Sequence, residues 1–270
     1  MRWGWLVLFL IFLPQLRSLA RYIRALRNSE LPSYFIRPRV PLPGRTIISI
    51  GPDPERVGEC YATLYSLLDQ THHVDEIEIS LPLSAVVPAW LADCSGPGSF
   101  IQIKRYPDGE RRNVSAAAER YRGQDMNIIV VDDRIVYRRT IVGALSSALS
   151  SALSPGKVVT ATGYRLERID GTKESRLGVM SSGGYIFNAR LIDEDYERTR
   201  TSLPEFRGAE EAFTSIQLAK KATIVSLNSP SLPILGRSWT KEKRNPADRR
   251  NYQTAEERTW ASAGYLTSAH

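Results

Sequence analysis

Residues 127–137 read "NIIVVDDRIVY" and decide the predicted fold, because an apolar strand runs directly into charged residues. Four apolar residues in succession are typical of a strand that is buried on both faces. Asp132, Asp133 and Arg134 follow at once. Adjacent carboxylates repel each other and are costly to bury unless a cation or a hydrogen-bond donor compensates them. We therefore expect this strand to end at a ligand site; a solvated turn that caps the next helix is the alternative.

Strand-like and helix-like patterns alternate on both sides of this strand. Apolar residues recur at helical spacing between positions 57 and 68 and again between 141 and 152. The strand-like segments are 45–50, 75–81, 100–106, 127–132, 157–164 and 222–227, and the helix-like segments are 57–68, 84–93, 113–122, 141–152 and 209–221. This alternation predicts an α/β domain with a mostly parallel sheet and helices on both faces.

The N-terminal segment differs in character from the rest of the chain. Residues 3–13 carry no charge, but a helix that spans a membrane needs about 20 apolar residues. Arginines then alternate with apolar residues, as in a basic amphipathic helix on an anionic membrane surface. We predict that residues 1–27 are a membrane anchor or such a helix; a cleaved signal peptide and a buried N-terminal helix are the alternatives. The positive-inside rule places the globular part on the cytoplasmic side, and a signal-anchor with a lumenal domain is the alternative.

The charge distribution excludes one class of partner. Eight arginines and one glutamate in residues 1–45 account for the whole net charge of +7, so the remainder is neutral. A neutral globular part gives no electrostatic reason to expect nucleic-acid binding. The predicted organisation continues with a Pro-rich stem at 28–44, one globular domain at 45–235 and a polar extension at 236–270. Cys60 and Cys94 are at no metal-binding spacing, and Cys60 is predicted to be a buried thiol.

Further candidate residues follow other predicted strands, where ligands bind in open α/β sheets. Arg56 begins the helix after the first strand, and because helix N-termini favour anions, a basic residue there indicates a phosphate site; a surface arginine that starts a helix is the alternative. Asp108 and Arg112 follow the third strand, where a simple turn is the alternative. Gly183 and Gly184 precede an apolar strand and would allow a ligand to approach the backbone closely, although a tight turn needs such glycines too.

An acidic pair, Glu210 and Glu211, opens the last predicted helix. Acidic residues stabilise the N-terminus of a helix through its dipole. A carboxylate at this place could also serve as a general base for a site at the strand ends.

The order of these features resembles GT-A-fold, family 2-like nucleotide-sugar glycosyltransferases. The similarity covers residues 45–227, and its most specific local match is "SLLDQTHHVDEIEISLP" at 66–82. The other matching features are Pro54 and Arg56 in "GPDPERV", the turn at Asp108-Gly109, the acidic run in "IIVVDDRIVY", Gly183-Gly184, and Glu210-Glu211.

The resemblance implies an enzyme that moves a sugar from a nucleotide-diphosphate donor to a hydroxyl acceptor, either a glycan or a lipid-linked molecule. It implies that Asp133 holds a divalent metal, Mn or Mg, and that Glu211 or Glu210 deprotonates the acceptor. The residues implied in donor or nucleotide binding are Arg56, Asp108, Arg112, Asp132, Arg134, Gly183 and Gly184.

The sequence departs from the family pattern at the third position of its acidic triplet, where Arg134 stands in place of aspartate. A hard divalent cation needs oxygen ligands, so one direct ligand is missing. Either Asp133 ligates a metal together with waters, or Arg134 itself neutralises the diphosphate, or catalysis is lost. Gly51 and Pro52 also replace threonines of the first turn, and Glu110 replaces a proline.

Two other functions remain open from the sequence. A catalytically impaired GT-A module would act as a binding or scaffold subunit. A nucleotidyltransferase would share the doubly wound sheet, but it predicts a Gly-rich loop with a lysine after the first strand, and "GPDPER" has no lysine.

Overall fold

The computed structural model of the chain describes residues 40–108, 114–151, 156–161, 163–168, 176–179, 183–202, 210–227, 233–235 and 265–267. The described strands are β1 (Val40–Pro41), β2 (Arg45–Ile50), β3 (His72–His73), β4 (Glu76–Pro82), β5 (Ile101–Tyr106), β6 (Met126–Val131), β7 (Val136–Tyr137), β8 (Lys157–Thr160), β9 (Gly163–Arg168), β10 (Arg176–Val179), β11 (Tyr185–Asn188), β12 (Thr223–Ser226), β13 (Pro233–Leu235) and β14 (Tyr265–Thr267). The α-helices are α1 (Tyr61–Leu68), α2 (Ala89–Cys94), α3 (Val114–Tyr121), α4 (Ile141–Ser150), α5 (Tyr196–Ser202) and α6 (Glu210–Lys221), and short 3-10 helices cover Pro54–Cys60 and Ala189–Leu191.

The main sheet has seven described strands in the order β12-β8-β11-β6-β2-β4-β5. Neighbouring strands run parallel except at β11, which pairs antiparallel with both β6 and β8. The predicted mostly parallel sheet is therefore confirmed, with β6 in its interior. The antiparallel insertion of β11 was not part of the prediction.

Alternation along β6 gives the sheet two apolar faces. Ile129 and Val131 belong to one core, which α1, α2 and α4 cover. Ile128 and Val130 belong to the other core, which contains apolar residues of α3, α5 and α6. Helices on both faces are thus confirmed, and the burial of β6 on both sides explains its uninterrupted apolar run.

Two predicted helices begin later than the apolar spacing indicates. The helix expected from position 57 starts as the 3-10 helix Pro54–Cys60, which is kinked at Arg56 (φ −120°, ψ 17°), and α1 follows from Tyr61. The helix expected at 84–93 is shortened to α2, because Pro88 stands at its N-cap in an extended conformation. Proline restricts the residue before it to extended conformations, so no helix can run through position 87.

The strand predicted at 157–164 divides into β8 and β9. β8 stays in the main sheet, whereas β9 lies in a three-stranded sheet of order β10-β9-β14. The strand β14 belongs to the predicted polar extension at 236–270, so residues 265–267 of that extension pair with the globular part.

Residues 1–27 and most of the predicted stem at 28–44 lie outside the described residues. Of the stem, the structure shows β1, which pairs parallel with β3. Among the residues that the structure describes, no helix has both the length and the apolar character to cross a membrane.

Candidate functional site

The two carboxylates that follow β6 are buried and are paired with the next residue. Asp132 is 9% exposed and Asp133 is 7% exposed. The guanidinium of Arg134 forks around the Asp132 carboxylate: Nε donates to Oδ1 at 3.0 Å and Nη2 donates to Oδ2 at 2.8 Å. The backbone N–H of Arg134 also donates to Oδ1, at 2.8 Å. A bidentate, charge-assisted pair of this kind explains why a basic residue follows a buried acid.

Asp133 joins the end of β6 to the loop after β2 and to α1. Its Oδ2 accepts a long hydrogen bond from the backbone N–H of Asp53 at 3.4 Å, and its Oδ1 lies 3.8 Å from Nε of Arg134. Its backbone carbonyl accepts a hydrogen bond from the buried Thr63 hydroxyl at 2.7 Å. The position of Asp133 is therefore fixed by segments 70 and 80 residues away in the chain.

Arg56 reaches this cluster through Asp53. Its Nη2 lies 3.4 Å from Oδ2 of Asp53, whose backbone N–H bonds to Asp133. The other Asp53 oxygen caps the 3-10 helix by accepting from the backbone N–H of Glu55 at 3.2 Å. The structure thus brings Arg56, Asp132, Asp133 and Arg134 to one edge of the sheet, as predicted, and their roles in donor binding stay predictions.

Tyr137 holds the backbone at the start of the acidic run. The backbone N–H of Asp132 donates to the Tyr137 hydroxyl at 2.8 Å, and the backbone N–H of Tyr137 donates to Ser66 Oγ at 2.9 Å. All of these groups are buried, so each hydrogen bond satisfies a backbone donor that would otherwise be costly to bury. The polar residues Asp53, Thr63 and Ser66 were missed from the sequence; polar residues within the apolar pattern of α1 were the available signal.

The glycine pair lies beside the same edge, because β11 runs antiparallel to β6 and begins next to its end. Gly184 has φ +89°, and a Cβ there would lie 3.2 Å from the carbonyl oxygen of Val130 and 3.7 Å from the ring of Tyr137. Gly184 therefore packs closely against β6, which is a structural reason for glycine at this position. Donor binding by this pair stays a prediction.

Asp108 follows β5, which is an outer strand of the main sheet. Its Oδ1 accepts hydrogen bonds from the backbone N–H of Ser84 at 2.9 Å and from the Ser84 hydroxyl at 2.7 Å. The backbone hydrogen bond, followed by the hydroxyl, holds the pKa of Asp108 below its ordinary value. The strands β2 and β4 lie between β5 and β6, so Asp108 and Asp132 follow strands that are three strand spacings apart.

The remaining predicted residues are only partly visible. Arg112 lies outside the described residues. Glu210 and Glu211 form the first turn of α6, as predicted, while their side-chain geometry lies outside what is described. Their role as general base stays a prediction.

The donor set does not fit a divalent cation that the protein holds by itself. Among the described residues, no group of three or more His, Cys, Asp or Glu side chains could hold a metal ion. Both carboxylate oxygens of Asp132 bond to Arg134, which leaves Asp133 as the less committed carboxylate of the pair. Ca²⁺ takes six to eight oxygen ligands, and Mg²⁺ requires an octahedron. The role of Asp133 as a metal ligand stays a prediction.

Cys60 lies under the site and is buried, as predicted. Its thiol donates to the carbonyl of Val57 at 3.0 Å. Burial raises the pKa of Cys60 to about 12, and the charge of Asp133 adds to this effect. A thiol with so high a pKa stays protonated and is a structural group rather than a nucleophile.

Comparison with known proteins gives the fold but no close relative. No protein-family model matches the chain, and no curated protein sequence matches it. Among solved structures, the mannosyltransferase PcManGT from Pyrobaculum calidifontis, in complex with GDP-Man and Mn²⁺, is similar with a TM-score of 0.52 and 15% identity, over 91% of this chain and 71% of that chain.

Two further structures are similar at lower scores. TarS from S. aureus has a TM-score of 0.47 and 10% identity, over 70% of this chain and 59% of that chain. The 2-C-methyl-D-erythritol 4-phosphate cytidylyltransferase from Francisella tularensis has a TM-score of 0.41 and 12% identity, over 78% of this chain and 99% of that chain. Identities this low compare folds and not activities, and scores under 0.5 add no argument of their own. The resemblance to GT-A-fold nucleotide-sugar glycosyltransferases is confirmed at the level of the fold.

Proposed function

We propose that this protein is a glycosyltransferase that moves a sugar from a nucleotide-diphosphate donor to a hydroxyl acceptor, a glycan or a lipid-linked molecule. One observation carries the proposal: the strand β6 delivers Asp132, Asp133 and Arg134 to the carboxyl edge of the sheet, where Asp53 links them to Arg56. Ligands of open α/β sheets bind at this edge. The likeness to a mannosyltransferase solved with GDP-Man supports the choice of donor class.

The charged residues along the carboxyl ends of the strands suit an extended nucleotide. Arg134 lies 3.8 Å from Asp133, and Arg56 pairs with Asp53, whose backbone N–H bonds to Asp133, so two guanidinium groups lie near the position proposed for the diphosphate. Asp108 follows β5, three strands away from β6 at the carboxyl ends of the strands. This placement supports a role for Asp108 at the nucleoside end of the donor.

In the proposed reaction, the acceptor oxygen bonds to the anomeric carbon while the bond from that carbon to the diphosphate breaks. The leaving diphosphate keeps the electron pair, and the acceptor hydroxyl gives its proton to a base. Glu211 or Glu210 is the proposed base, as the resemblance implies for the acidic pair in the first turn of α6. Charge that develops on the leaving group is stabilised best by cations already in place.

The resemblance also implies a divalent cation at this site. The similar mannosyltransferase structure contains Mn²⁺. In this chain Asp133 would be its carboxylate ligand, and Mg²⁺ or Mn²⁺ sites in such enzymes can rely on substrate phosphates for further oxygens. The donor set of the described residues does not favour a resident ion, so the two arginines carry the argument for diphosphate binding.

The test is a panel of nucleoside diphosphates and nucleotide-sugars, read first by thermal unfolding and then by product detection. A ligand present at 100 times its Kd stabilises the folded state by about 2.7 kcal/mol. We expect at least one nucleotide to stabilise the protein and its sugar to appear on an acceptor. Arg56→Met should abolish the stabilisation, whereas Arg190→Met, which removes an exposed arginine paired with Asp125, should not.

The other outcomes are informative as well. If no nucleotide stabilises the protein, the proposed function is wrong. Stabilisation without transfer or hydrolysis would instead support an impaired GT-A module that acts as a binding subunit. Release of pyrophosphate from a nucleoside triphosphate and a sugar phosphate would support the nucleotidyltransferase.

We also propose that residues 1–27 hold the enzyme on a membrane surface, with the globular domain facing the cytoplasm. The apolar run at 3–13 and the arginines that follow it support this placement. The full chain should float with vesicles that contain phosphatidylglycerol, and deletion of residues 1–27 should abolish flotation. A full chain that stays at the bottom of the gradient would contradict the proposal.

A further inference from the structure

We infer that Arg134 takes the place of a divalent cation, so that the donor diphosphate binds without a metal ion. The inference rests on the proposed function and concerns the same site. It comes from the disagreement between the cation that the fold family implies and the donor set that the described residues present.

Hydrogen bonds fix the position of the Arg134 guanidinium. Three hydrogen bonds, at 2.8, 2.8 and 3.0 Å, tie Arg134 to the carboxylate of Asp132. Asp132 is buried, and its backbone N–H donates a hydrogen bond to the Tyr137 hydroxyl. The charge of Arg134 is therefore held in place before any ligand arrives.

A divalent cation would have to compete with Arg134 for the carboxylates of Asp132 and Asp133. A cation that recruited Asp132 would have to displace a bidentate guanidinium from both oxygens. The same guanidinium lies 3.8 Å from Asp133, so a cation bound there would face a positive charge within a few ångströms. The guanidinium of Arg134 therefore already supplies the positive charge at this position.

The guanidinium of Arg134 is also more accessible to a ligand than the two carboxylates are. The side chain of Arg134 is 31% exposed, whereas both acids are nearly buried. A ligand that approaches the edge therefore meets the guanidinium before it meets the carboxylates. A planar guanidinium binds phosphate oxygens through paired N–H groups, which suits a diphosphate.

The experiment is isothermal titration of the full chain with ADP, CDP, GDP and UDP, each in EDTA and in Mn²⁺. The variants are Arg134→Met, Arg134→Lys and Arg134→Asp. Arg139→Met is the matched control, because Arg139 is a similarly exposed arginine paired with Asp69 at the other end of α1. Circular dichroism checks that each variant is folded.

We expect at least one of the four nucleotides to bind both the wild type and Arg139→Met. For each protein, its affinity in EDTA and its affinity in Mn²⁺ should agree within twofold. Arg134→Met should lose at least tenfold in EDTA, and Arg134→Lys should fall between them because it keeps the charge but not the fork. Arg134→Asp, which restores three consecutive acids, should bind at least tenfold more tightly in Mn²⁺ than in EDTA.

Wild-type binding that requires Mn²⁺, together with unchanged binding by Arg134→Met, would overturn the inference and leave the proposed function standing. If Arg134→Met does not fold, the metal dependence of the wild type and of Arg134→Asp decides in the same way. Failure of every protein to bind any of the four nucleotides in both buffers would overturn the proposed function, and this inference with it.

Discussion

The hydroxyl of Tyr137 offers a sharp test of how the site is held together. It accepts the backbone N–H of Asp132 at 2.8 Å, and the tyrosine is 2% exposed. Tyr137→Phe keeps the ring and its packing but removes the acceptor. The buried N–H of Asp132 then loses this hydrogen bond at the residue where the acidic run begins.

The expected cost follows from that lost hydrogen bond. A buried polar group without a partner costs about 1–3 kcal/mol. For a domain of this size, 1 kcal/mol corresponds to a fall in Tm of roughly 2–4 °C. Urea unfolding followed by circular dichroism should show a lower midpoint with an unchanged m-value, because the surface exposed on unfolding stays the same.

Tyr121→Phe is the matched control. Its hydroxyl donates to Glu78 at 2.8 Å, and Glu78 keeps its ion pair with Arg120 at 2.5 Å. We expect a loss of similar size, about 1–3 kcal/mol, because Oε1 of the buried Glu78 loses this hydrogen bond while Oε2 keeps Arg120. Tyr137→Phe should also weaken nucleotide binding, whereas Tyr121→Phe should not. Wild-type stability and wild-type nucleotide affinity in Tyr137→Phe would refute the reasoning.

Three other expectations concern stability and its dependence on pH. Gly184→Ala should lower the free energy of unfolding in urea by about 1–3 kcal/mol, because φ is +89° and the added Cβ would lie 3.2 Å from a backbone carbonyl oxygen. Gly123→Ala is the control and should cost less, because φ is +74° there but nothing lies within 4 Å of the added Cβ. Equal losses in the two variants would contradict this expectation. Cys60 has a pKa of about 12 when folded and an ordinary value of 9.0, so the unfolded chain alone releases this proton above pH 9. Stability should therefore fall between pH 9 and about 12, by up to about 1.4 kcal/mol per pH unit, and Cys60→Ala should show a shallower fall. Glu78→Gln should destabilise by about 1–3 kcal/mol, because Glu78 is fully buried and Arg120 loses its counter-charge; a change under 0.5 kcal/mol would show that the pair adds no stability.

Much of the fold could be predicted from the sequence because its signals are local. The apolar run of β6 and the helical spacing in α4 depend only on neighbouring residues, and both elements appear within two residues of the expected bounds. The pairing of Arg134 with Asp132 is equally local, since the two partners are two residues apart. Such contacts follow from the chain order alone.

The rest depends on contacts between distant segments. The hydrogen bond from Thr63 to Asp133 joins residues 70 apart, and the bond from Asp53 to Asp133 joins residues 80 apart. The antiparallel insertion of β11 depends on its register against β6, to which the glycine pair gave only a hint. No periodicity in the sequence contains this information, because register is set by the packing of strands that are far apart in the chain.

The most direct test of the central claim is a crystal structure of the protein grown with the nucleoside diphosphate that stabilises it most. We expect the diphosphate to lie at the carboxyl end of β6, within hydrogen-bonding distance of Arg134 and close to Asp133. A nucleotide bound anywhere else on the molecule, with this edge of the sheet empty, would contradict it.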